Sequence, residues 1–140
     1  MKTKHLVTLA LATALSIGSL HAAEKEERIK VEVKIPDSAE ALWSEIETQR
    51  KALADAVAAK NKDEVFKLSE TVEALVNAIP SKYPALATDK KKRVEGQVKN
   101  TARVLDELHD VMDAGKADEA AKKLAQVEAA LKIIKGQVGK

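Results

Sequence analysis

Apolar residues recur at alternating three- and four-residue steps in four blocks of the chain, the mark of amphipathic helices. Leu42, Ile46, Leu53 and Val57 define the first stripe; Trp43 lies beside it and the polar pair Gln49 and Arg50 interrupts it. Val65, Leu68, Val72, Leu75 and Ile79 define the second without a break, the spacing of a helix–helix seam. The third stripe is Val94, Val98, Thr101, Leu105, Leu108 and Met112, and the fourth is Ala120, Leu124, Val127, Leu131 and Ile134. The pattern predicts helices over Ser38–Lys60, Lys62–Ile79, Asp89–Ala114 and Ala117–Lys135.

Polar punctuation fits those bounds. Asp37 is placed to cap the first helix, with Glu40 three residues on in capping-box register. Lys60-Asn61-Lys62 reads as a turn, and Asn61 with Glu64 repeats the cap signal. Pro80 is expected to end the second helix. The stretch from Pro80 to Thr88 then crosses to the third, which Thr88 or Asp89 caps. Gly115 closes the third helix, as a residue in the left-handed conformation.

The segment from Asp55 to Ile79 recurs, at a constant offset, from Asp110 to Ile134. Ala59/Ala114, Asp63/Asp118, Glu64/Glu119, Lys67/Lys122, Val72/Val127, Glu73/Glu128 and Ala74/Ala129 match between the two. Each copy reads as a helix end, a tight turn and a second helix. The expected fold is therefore all-α: an antiparallel up-down-up-down four-helix bundle, coiled-coil-like in its packing, made of two duplicated helical hairpins. A pair of solenoid repeats is the competing architecture, but two repeats are too few to be stable alone.

Ahead of the helices, Ile29, Val31, Val33 and Ile35 alternate with Lys30, Glu32 and Lys34. Period two argues a strand, yet no other segment offers a partner for its backbone. Two readings follow for an arm over residues 24–36. It lies extended on the bundle or disordered, or it pairs with a second chain by strand addition.

The chain opens with Lys2 and Lys4, continues through an uncharged apolar run from Leu6 to Leu20, and passes His21-Ala22-Ala23 into a charge run at Glu24. That order is the signature of a cleaved secretory signal peptide over residues 1–23, with a periplasmic destination. The expected domains are the leader, the arm and a bundle over residues 37–140. No second apolar run is long enough to span a bilayer, so no membrane association is expected after cleavage. Of the 24 Lys and Arg residues, Lys2 and Lys4 leave with the leader, so the remaining 22 balance the 22 Asp and Glu. That neutrality carries no footprint for nucleic acid. Cysteine is absent, which excludes disulfides, thiolate metal sites and cysteine-ligated clusters. Trp43, Tyr83 and Phe66 are the only aromatics.

Candidate chemistry is sparse. His5 and His21 belong to the leader, so His109 is the only histidine left. Asp113 at i+4 and Asp106 at i−3 lie within its reach, and His109 with Asp113 is the candidate metal site, a weak one for a divalent transition ion. The competing reading is a boundary histidine among solvated carboxylates, since tight zinc sites use three or four protein ligands. Met112 is better placed in the core than on a metal. Lys90-Lys91-Lys92-Arg93 sets four cations in the first turn of the third helix, against its dipole. It is either a dock for an acidic partner or anionic headgroups, or a solvated helix end. Trp43 is expected at a bundle end, and Arg50 is expected to lay its stem on the seam with its head in water. No nucleophile, base and oxyanion donor are brought together, so no enzyme is expected and no cofactor is assigned.

The two hairpins turning through Lys60-Asn61-Lys62-Asp63 and Gly115-Lys116-Ala117-Asp118 resemble the small soluble periplasmic b-type cytochromes. The resemblance spans Ser38 to Lys135 and implies a four-helix bundle. That family holds haem between a methionine of the first helix and a histidine near the end of the fourth. Here Ile46 and Lys135 stand at those places, and neither can serve. Haemless bundles of this kind also resemble accessory proteins of periplasmic heavy-metal stress and efflux systems. The expectation is a non-enzymatic binding protein, possessing a protein or metal-ion partner and monomeric in solution. A haem electron carrier ligated through His109 or Met112 is one alternative. A structural module docking a partner through its arm is the other.

Overall fold

A computed structural model describes residues 31–139 of the chain. The expected signal peptide (1–23) and the first part of the expected arm (24–30) lie outside the described residues. Within them the protein is all-α: α1 spans Ala39–Ala58, α2 Lys62–Asn77, α3 Thr88–Asp113 and α4 Ala117–Val138, with a 3₁₀ turn at Ile79–Lys82 between α2 and α3.

The duplicated turns have the same backbone. Asn61 N donates to Ala56 O and Lys60 N to Val57 O; at the equivalent positions Lys116 N donates to Val111 O and Gly115 N to Met112 O. That is the Schellman pairing, which satisfies carbonyls a helix end would otherwise leave bare. It requires a left-handed residue, and Lys60 (φ 55°) and Gly115 (φ 70°) supply it. The turns differ beyond that point. Asn61 Oδ1 accepts from Glu64 N at 3.3 Å, whereas Lys116, at the start of α4, makes no side-chain cap.

Other helix ends depart from expectation. Ser38, not Asp37, caps α1, its Oγ accepting from Ala41 N at 3.1 Å. Asp37 instead offers its backbone carbonyl to Lys82 Nζ at 3.0 Å. Ala87 precedes α3 without a side-chain cap, and Thr88 is already helical. Pro80 does not end α2, which stops at Asn77; it lies in the first positions of the 3₁₀ turn, where its missing N–H costs nothing. α4 runs three residues past Lys135, to Val138.

All four helices contribute to one apolar core. Leu42, Ile46, Leu53, Val65, Val72, Leu75, Leu108, Val127 and Ile134 are fully buried in it. Burying each such aliphatic side chain contributes roughly 1.5–3 kcal/mol. Ile79 of the 3₁₀ turn is equally buried and closes the end of the bundle near Trp43. Val104 joins Leu105 in the core, while Leu124 is only half-buried at its edge. The hydroxyl of Thr101 is buried but donates to Gln97 O at 2.8 Å.

Contacts run α1 to α2, α2 to α3, α3 to α4, and from α4 back to α1, the last being the sparsest. The helices therefore close on a shared core, unlike two stacked repeats. Ion pairs join neighbouring helices across some of these seams. Lys62 at the start of α2 meets Asp113 at the end of α3, and Glu47 of α1 meets Lys135 near the end of α4.

Residues 31–36 form no strand. Val31, Val33 and Ile35 are half-buried while Glu32 and Lys34 are exposed, and Val33 and Ile35 pack on the core. Within residues 31–36, Val33 and Ile35 thus rest on their own bundle. No helix of the described residues is long and apolar enough to cross a membrane.

Candidate functional site

A hollow of about 580 Å³ lies where the arm meets Glu45, Gln49 and Thr71, and a smaller one, the one that holds aromatic side chains, lies at the end of the bundle that carries Trp43. Trp43 lies one turn into α1 and Tyr83 directly follows the 3₁₀ turn. The short α2–3₁₀ corner brings them together: Trp43 Nε1 donates to Tyr83 Oη at 2.9 Å. This bond fixes the indole and satisfies its one donor, which a buried Trp requires. Trp43 is 8% exposed. Over its ring lies Lys135 of α4, with Nζ 5.6 Å from the centroid. The same ammonium is 4.0 Å from Glu47 Oε1.

These residues, with Glu40, Ser44, Val138 and Gly139, line an open groove of about 410 Å³. A further hollow of about 240 Å³, lined by Arg50, Glu128, Leu131 and Lys132, continues it along the α1–α4 seam and shares Glu47 and Lys135. The groove's volume falls in the roughly 300–1,000 Å³ range of small-ligand sites. Arg50 divides the groove's charges. Its guanidinium bonds Glu47 Oε2 at 3.1 Å and 3.2 Å and also Glu128 across the seam. Its head is therefore bridged between two carboxylates and only partly exposed, where a head in water was expected. This Arg50 bridge is what the polar break in the α1 stripe provides.

The residues singled out for metal each meet a neighbour on α2. His109 is half-buried on α3, its ring 4.7 Å from that of Phe66 on α2 and tilted by 45°. Asp113 Oδ1 lies 2.5 Å from Lys62 Nζ, in an ion pair across to α2. Lys62 Nζ in turn stands 5.9 Å from the Phe66 centroid. Among the described residues no group of three or more His, Asp or Glu side chains could hold a metal ion. Met112 is 5% exposed and belongs to the core.

Of the basic cluster, Lys91, Lys92 and Arg93 are exposed and Lys90 is half-buried. On the α3–α4 flank, Glu107 accepts from Lys123 Nζ at 2.5 Å and pairs with Arg103. The Lys123 hydrogen bond, with help from the charges of Lys123 and Arg103, holds the Glu107 carboxyl below the ordinary glutamate range.

Three participants in the groove, Tyr83, Glu47 and Lys135, were not candidates on the sequence. The available signal was indirect: Trp43 and Tyr83 are the only residues of their types, and both fall near the same helix ends. No family model, no curated protein and no solved structure matches the chain.

Proposed function

We propose that the protein is an exported, periplasmic and non-enzymatic binding protein, and that the groove floored by Trp43 is where it binds. The observation that supports this reading is the Trp43–Tyr83 hydrogen bond. It fixes an amphipathic aromatic surface, rare in this chain, at the floor of an open groove rimmed by charges. Rigid aromatic anchors with a few polar groups around them are the common composition of ligand sites. The test is a small-molecule screen of the full chain read by amide chemical shifts. Hits are expected to move Trp43, Ser44, Glu47, Tyr83 and Val138 together. Hits that scatter, or that gather around His109, would refute the assignment.

The heavy-metal accessory role implied by the resemblance rests on His109 and Asp113. The Lys62 ion pair competes with it for the Asp113 carboxylate. A haem carrier ligated through Met112 requires that side chain to leave the core. Docking through the arm would have to use its outer edge, because Val33 and Ile35 already rest on the bundle.

A further inference from the structure

The groove already contains a cation. The ammonium of Lys135 stands over the face of Trp43 at 5.6 Å from the centroid, inside the ~6 Å range of cation–π attraction. Its nearest carboxylate oxygen, on Glu47, is 4.0 Å away, too far for a hydrogen bond. The Lys135 side chain remains 60% exposed. A long flexible side chain held in this way is easily displaced. The surface beneath it is not: the indole is pinned by Tyr83 Oη and is almost wholly buried.

The rest of the lining fits the same sign of charge. Among the described residues, Glu40 and Glu47 are the other ionisable side chains that line the groove with Lys135, apart from the Tyr83 phenol. With Lys135 swung out, two carboxylates and two aromatic rings remain. An anion would meet both carboxylates; Glu47 keeps Arg50 as a partner, so a neutral apolar ligand would leave Glu40 as the carboxylate without a counter-charge in the groove. An aromatic face with flanking carboxylates is the composition that recognises ammonium groups.

We propose that the groove binds an organic ammonium, quaternary or alkyl, which takes the place of the Lys135 ammonium over Trp43 beside Glu40 and Glu47. Lys135 is then an internal occupant that the ligand displaces. This rests on the groove being the ligand site and names the chemistry of that ligand.

Trp43 is the only tryptophan of the chain, so its emission reports the site directly. The full chain is titrated with choline, and with the neutral isostere 3,3-dimethylbutan-1-ol, at constant ionic strength. Choline is expected to give a saturable change in emission, about tenfold tighter than the alcohol. Lys135→Ala is expected to bind choline several-fold more tightly, because the competitor has gone. Glu47→Gln is expected to bind several-fold more weakly, with its helicity checked by circular dichroism. Phosphatidylcholine vesicles form a further arm: association with them assigns the lipid headgroup as the source, and choline binding without it assigns a free ligand. Equal response to choline and the alcohol would overturn the cation assignment while leaving the groove as a ligand site. No saturable response to either compound, in the parent or in Lys135→Ala, would overturn both. A Lys135→Ala variant that binds choline no more tightly would overturn the role of Lys135 as occupant.

Discussion

Lys60 and Gly115 occupy the same position in two superimposable turns, and both adopt the left-handed conformation. Only one of them is a glycine. A side chain with a Cβ carries roughly 1–2 kcal/mol of strain there, partly offset because it restricts the unfolded chain by about 0.4–1 kcal/mol. Lys60→Gly is therefore expected to raise stability by about 0.5–1 kcal/mol. Gly115→Ala, where no atom lies within 4 Å of an added Cβ, is expected to lower it by a similar amount through φ alone. Urea midpoints of the two variants check the pair; a loss in Lys60→Gly would contradict the turn geometry.

Neighbouring positions in α2 should respond in opposite directions. Leu68 is buried on the seam, and Leu68→Asp places an unpaired charge there, enough to unfold a marginal domain. Ser69 is also buried, and its Oγ has no hydrogen-bond partner among the described residues. Ser69→Ala removes that orphan and is expected to be neutral or stabilising by about 1 kcal/mol. Thermal melts by circular dichroism separate the two. A Leu68→Asp variant melting like the parent would make the seam assignment wrong.

For metal, the Lys62–Asp113 pair sets the expected order. If His109 and Asp113 hold a divalent ion, Lys62→Ala frees the carboxylate and tightens binding, whereas His109→Ala abolishes it. Native mass spectrometry after copper and zinc challenge reads the order directly. Binding that survives His109→Ala would move the site to other carboxylates.

Glu107 gives a pH dependence of known sign. Its carboxyl is held below the ordinary value of 4.5, first by the Lys123 hydrogen bond. The folded state therefore binds this proton less readily than the unfolded chain does. The stabilisation is fully present above the unfolded pKa and is lost as pH falls through the lower folded one. Lys123→Ala is expected to be less stable than the parent near neutrality, with the gap closing below pH 4.5. A gap that widens on acidification would reject the assignment.

Deleting residues 24–34 removes Val33 from the core edge but leaves Ile35. Helicity is expected to be unchanged, with a loss of about 2 kcal/mol for two half-buried valines, Val31 and Val33. The monomer is expected to persist in light scattering. A dimer abolished by the deletion would make the arm an assembly element.

The fold was largely legible because apolar periodicity and turn chemistry are local. α2 and α4 begin where the repeat places them, at Lys62 and Ala117, since Asn61 and Gly115 each mark a turn in their own neighbourhood. The choice between Asp37 and Ser38 as cap was not legible, because both are good capping residues and the path of the incoming arm decides which one meets the helix. Val104 was missed because a three–four stripe admits one of two adjacent residues, and Leu105 already filled it. The groove was the least legible feature. Trp43, Tyr83 and Lys135 come from three separated segments, and no local pattern marks side chains that meet only after the helices have packed.

The seam between α1 and α4 is the sparsest of the four, and it is bridged by Arg50–Glu128 and Lys135–Glu47. Partly exposed pairs of this kind are screened by dissolved ions, over a distance of about 8 Å at physiological ionic strength. The α2–α3 and α3–α4 seams carry ion pairs as well, Lys62–Asp113 and Lys123–Glu107, but with more helix-to-helix contact beside them. Dissolved ions therefore act most on the seam that has least else to hold it. Brine is expected to loosen this edge of the bundle first, the edge that carries Lys135 at the rim over Trp43.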